Sequence, residues 1–192
     1  MSAPVPAPAS PPASRPVDPR QLSLLRFAET TGTLSGVWPA ADLVRLGADA
    51  PPAGAAEVHW SAQGERRAVA GDSPQTWLHV QAHTEVEQVC QRCLGPMTLR
   101  LDAQRSFRFV RDEEEATRLD EESEDDVLAL PKRGLLDLHE LVEDELILAL
   151  PIVPRHETCP QPLPLPANEP DEEEVAPPNP FQALAVLKRK PN

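Results

Sequence analysis

The chain has 192 residues, with 31 acids against 18 bases and a formal net charge of −13, a balance that excludes a broadly basic nucleic-acid footprint. The length allows one domain of ordinary size, with tails. No run of about 18 apolar residues is present, and the start has neither the basic residues nor the apolar core of a secretory signal. Three cysteines, an odd number, make no disulfide framework, so the expected compartment is the cytoplasm, with reduced thiols and no membrane partner.

The 24 prolines are unevenly placed. Seven fall in "MSAPVPAPASPPASRPVDP", and a second cluster runs from Pro151 to Pro180. Proline fixes φ and lacks an amide donor, so neither stretch joins helix interiors or central strands. The expected organisation is a disordered proline-rich tail over 1–19 and a single α+β domain over 20–160. A proline-rich and acidic linker over 161–180 and a C-terminal amphipathic basic helix over 181–192 follow.

In chain order, "DPRQLSLLRFAETTG" is ambiguous, "TLSGVW" reads as a short strand and "PAADLVRL" as a short helix with Pro39 near its start. Residues 56–62 alternate: Ala56, Val58, Trp60 and Ala62 on one face, Glu57, His59 and Ser61 on the other. That is a half-buried strand. "GERRAVAGDSP" reads as turn material, with a short strand as the alternative. Next, Leu78, Val80, Ala82 and Val86 alternate with polar residues, and so do Leu99, Leu101, Ala103, Phe107 and Phe109. Two alternating runs with a short Gly-Pro link predict an antiparallel hairpin.

Residues 111–126 hold ten acids and two bases, and residues 169–174 hold five acids, which accounts for the whole net charge. Such runs predict mobile loops. "DVLALP" reads as a strand. In "DLHELVEDELILALP", Asp137 and Glu140 have the spacing of a capping box, and Leu138, Leu141, Val142, Glu145 and Ala149 share a helix face. Pro151 ends the helix. The expected fold class is therefore α+β: an antiparallel sheet with one main amphipathic helix, a short C-terminal helix, a disordered N-terminus and acidic loops.

Cys90 and Cys93 lie at the hairpin bend, and His156 and Cys159 follow the helix. Three thiolates and one imidazole suit a closed structural zinc site, so these four are the candidate metal ligands. The alternative is that the cysteines only pack the bend. His59, His79, His83 and His139 are expected on polar, solvated faces, and so are Glu140, Glu143, Asp144 and Glu145. No P-loop, nucleophile elbow or dinucleotide fingerprint is present, so no catalytic residues are expected. Near the C-terminus, Phe181, Leu184 and Leu187 stand at helical spacing beside Lys188, Arg189 and Lys190. These six are the candidate partner-binding residues.

"CQRCLGPM", "DLHELVEDELILALPIVPRHETC", the acidic stretches between them and the ending "NPFQALAVLKRK" together resemble the YceD family of large ribosomal RNA subunit accumulation proteins. The resemblance runs from about residue 20 to the C-terminus. It implies a role in synthesis, processing or stability of 23S rRNA and brings no catalytic residues. With no catalytic constellation in the sequence, the expected function is a non-enzymatic ribosome-biogenesis factor that binds a precursor rRNA or, in accord with the acidic runs, a basic ribosomal or rRNA-handling protein. Two alternatives are a zinc-stabilised RNA-processing enzyme using the carboxylates at Glu143 to Glu145, and a metal-binding adaptor for a ribosomal protein.

Overall fold

The computed structural model describes residues 17–71 and 73–160. The expectations for 1–16, for the linker and second acidic run, and for the C-terminal helix with its six candidate residues lie outside the described residues.

The fold is α+β, built on a five-stranded sheet of order β2-β3-β4-β5-β6. Its strands are β2 (Thr33–Pro39), β3 (Glu57–Arg67), β4 (Gln75–Val89), β5 (Pro96–Val110) and β6 (Asp126–Ala129). The first four are antiparallel neighbours, with Leu78 opposite Phe107 and Val86 opposite Leu99 in the long β4–β5 hairpin. β1 (Leu22–Ser23) pairs with β7 (Leu135–Leu136) in a separate two-stranded ladder. β3 runs past Ala62 to Arg67, so the start of "GERRAVAGDSP" is strand, the alternative to turn there.

Alternation decides which face is covered. Val58, Trp60, Ala62, Leu78, Val80, Ala82, Val86, Leu101, Phe107 and Phe109 form one buried face. Three helices close it: α1 (Leu24–Glu29), α2 (Val44–Asp49) and α4 (Leu138–Leu148). α1 lies so close to β3 that a Cβ at Gly64 would stand 2.9 Å from Ala28 backbone atoms, which fixes glycine there. Trp38 stacks on Trp60 with ring centroids 4.5 Å apart, and His139 of α4 packs on Trp38 at 4.7 Å. His139 is therefore buried, contrary to the expected solvated position, because its early place on α4 turns it toward the tryptophan pair.

α4 starts as expected, with the Asp137 carboxylate accepting from the amides of His139 and Glu140. Its acids are not one solvated face. Glu143 and Glu145 are buried. Glu143 accepts from the Arg45 amide (2.7 Å), the Leu46 amide (3.2 Å) and Arg45 Nε (3.0 Å). It thus satisfies amide donors left free at the start of α2. Glu145 meets Arg105 Nε at 3.3 Å.

The first acidic run is a second correction. Residues 113–122 form helix α3 (Glu113–Glu122), with the Asp112 side chain accepting from the Glu115 amide and three acids in the first turn, where they complement the helix dipole. Ala116 and Leu119 pack with Val110, Val127 and Ala129 on the sheet face opposite the main core. Because α3 bridges β5 and β6, those two strands are parallel, and the sheet is mixed rather than wholly antiparallel. Among the described residues, no helix is long and apolar enough to cross a membrane.

Candidate metal centre

The β4–β5 hairpin bends through Cys90 to Gly95. The Cys90 amide donates to the Gly95 carbonyl at 2.9 Å and the Leu94 amide to the Cys90 carbonyl at 2.8 Å. Leu94 takes a positive φ of 57° to close the turn. The chain leaving α4 is drawn onto this bend: the Gln91 amide donates to the Pro154 carbonyl at 2.8 Å, and the His156 amide to Cys90 Sγ at 3.4 Å.

Those contacts bring all four expected ligands together. One ligand atom each from Cys90, Cys93, His156 and Cys159 lies within 4.8 Å of the others. Cys90 Sγ is 3.9 Å from Cys159 Sγ, and Cys93 Sγ is 3.4 Å from His156 Nδ1. A tetrahedral ion with metal–sulfur bonds of about 2.3 Å separates its ligand atoms by roughly 3.5–3.8 Å, so the cluster has the size such an ion needs. Packing of the bend alone does not call for Cys159, which comes from a separate loop, to stand this close to Cys90. Cys90 is buried and the other three are half-buried, which leaves a cluster closed on its inner side.

The electrostatics favour a ligand thiolate. Burial pushes the Cys90 thiol up, but the amides of Cys93, His156 and Arg92, with the Cys93 thiol, outweigh it and bring the value from 9.0 down to about 5. At Cys93 the Gly95 amide favours the thiolate, yet burial and the sulfurs of Cys159 and Cys90 prevail and hold that thiol above its ordinary value. Amide-to-sulfur bonds of this kind stabilise negative charge on sulfur.

Arg92, inside the C-x-x-C, was not singled out by the sequence reading. Its Nε donates to Cys159 Sγ at 3.0 Å and its Nη2 to the His156 carbonyl at 3.1 Å. It acts as a strut between the bend and the second pair. The available signal was its place between the two cysteines. The candidate carboxylates lie elsewhere: Glu143 is held by α2, and Glu145 by Arg105.

Comparison with known proteins gives the cluster a context. Residues 78–188, which include all four candidate ligands, match the family described as large ribosomal RNA subunit accumulation protein YceD. The chain is similar to a protein of that name from Haemophilus influenzae (strain ATCC 51907 / DSM 11121 / KW20 / Rd), 38% identical over 113 residues. That match covers 55% of this chain and 62% of the relative, so the chain spans less than two thirds of the relative's length. No solved structure matches. With more than half of its residues matched, from near the start of β4 to beyond the cluster, the chain belongs to the YceD family.

Proposed function

We propose that the chain is a non-enzymatic, cytoplasmic ribosome-biogenesis factor needed for accumulation of 23S rRNA, and that Cys90, Cys93, His156 and Cys159 hold a structural zinc. The observation that carries the first part is the family match over residues 78–188. The four-ligand cluster carries the second. Zinc in such a set has no open coordination position, so its contribution is to hold two loops together. An RNA-processing enzyme is less well supported, since Glu143 and Glu145 already serve the helix and sheet packing.

The partner is a precursor rRNA or, in better accord with the charge, a basic ribosomal or rRNA-handling protein. Helix α3 presents exposed acids that repel bare phosphate and attract cationic side chains. The candidate contacts of the C-terminal stretch are Phe181, Leu184, Leu187, Lys188, Arg189 and Lys190. The test is a pulldown from growing cells with and without RNase, together with 23S rRNA levels in a strain lacking the gene. Capture of a basic protein that survives RNase, with restored rRNA, is expected. Normal rRNA in the deletion strain would overturn the reading.

A further inference from the structure

We propose that the cluster is also an oxidation site, in which Cys90 and Cys159 join as a disulfide and the metal is released. The inference rests on the zinc reading for the metal and on geometry for the linkage. The two sulfurs are 3.9 Å apart, while Cys93 faces the His156 ring. A disulfide needs about 2.05 Å, a movement of roughly 2 Å between two loops, neither of which has helix or strand to break. Cys159 is half-buried and Cys90 fully buried, so a small oxidant meets Cys159 first. The Arg92 guanidinium donates to Cys159 Sγ at 3.0 Å, so its positive charge is at hand to offset that of a departing hydroxide.

The oxidant class is a hydroperoxide, with hydrogen peroxide as the probe. The Cys159 thiolate attacks one peroxide oxygen, the O–O bond breaks, hydroxide leaves and a sulfenic acid remains. The Cys90 thiolate then attacks that sulfur, the S–O bond breaks and a second hydroxide leaves. Two thiolates lose two electrons, and the peroxide takes both. Only Cys93 and His156 remain as ligands, too few to retain a structural zinc, which departs as the divalent cation.

The full chain, loaded with zinc, is treated with hydrogen peroxide while free zinc is followed with a chromogenic chelator. In parallel, disulfide-linked peptides are mapped without reduction. Zinc release and the Cys90–Cys159 link are expected to rise together, and a thiol reductant with added zinc should restore the starting state. Cys93→Ser should still form the link, and Cys159→Ser should form none involving Cys90. A Cys90–Cys93 link instead, release with no link, or zinc retained in excess peroxide would each overturn the proposal. Protein that arrives without zinc and binds none overturns the metal reading alone. The linkage map of that same sample still decides the oxidation site, for it if the Cys90–Cys159 link forms and against it if not.

Discussion

His139 and Glu143 show how single side chains of α4 set the domain's response to pH and mutation. Burial holds the His139 imidazole below its ordinary value of 6.5, and Arg20 adds to the effect against the opposing pull of Asp137, Glu143 and Asp42. The unfolded chain therefore takes up this proton before the folded one does. Stability from the neutral ring is present above about pH 6.5 and falls as the pH drops through that value. Thermal melts between pH 8 and pH 5 should show a loss that His139→Phe reduces; an unchanged slope in the variant would remove His139 as the cause. Glu143 works in the other direction. Burial raises it, but the Leu46 and Arg45 amides and the Arg45 guanidinium win and hold it below the usual carboxylate range. Glu143→Ala leaves two amides of α2 without this partner, which should cost about 1–3 kcal/mol, read from denaturant melts. An unaltered midpoint would mean that water replaces the carboxylate.

Helix α3 is the element that the sequence hid. Its apolar contribution is only Ala116 and Leu119, and the residues they meet, Val110 and Val127, sit on strands before and after it. A charge run scored by itself predicts solvation, and the packing that reverses that prediction is non-local. The parallel β5–β6 pair was hidden for the same reason, since direction follows from the bridging helix. By contrast, β3, β4 and β5 were legible because each alternates over many residues, and α4 because Asp137 marks its start. Spacing located four of the centre's residues, while Arg92 acts through contacts that only the folded loops create. Ala116→Asp, which places a charge in the small cluster, should cost about 1–3 kcal/mol. In a domain of this size that is a fall in Tm of roughly 2–4 °C per kcal/mol. Removal of residues 112–125 should be worse than neutral, with part of the sheet signal lost in far-ultraviolet circular dichroism. A Tm unchanged by Ala116→Asp would show that α3 packs too loosely to matter.

For the molecule as a whole, the metal reading predicts about one equivalent of zinc after purification. A strong chelator should lower Tm, because binding to the folded state alone adds to stability. Cys159→Ser should lower both zinc content and Tm; full zinc content in that variant would exclude Cys159 as a ligand. Truncation before Phe181 should spare the melt and impair 23S rRNA accumulation in a complementation assay. Full complementation would show that the six C-terminal candidates are not the docking residues. The connection between α4 and Cys159 also bears on how far that ending can travel. Among the described residues, the hydrogen bonds between residues 154–159 and the rest of the fold reach the bend at Cys90 to Cys93. On the zinc reading, a pull that reaches Cys159 is shared between metal–sulfur bonds and these hydrogen bonds. Only where both the metal and these hydrogen bonds give way does the anchor retreat to the end of α4 at Leu148. Cys159 then stands 11 residue steps from Leu148, at most about 35–40 Å of extended chain. The hold of the bend on Cys159 thus sets how far the segment after α4 can swing away from the sheet.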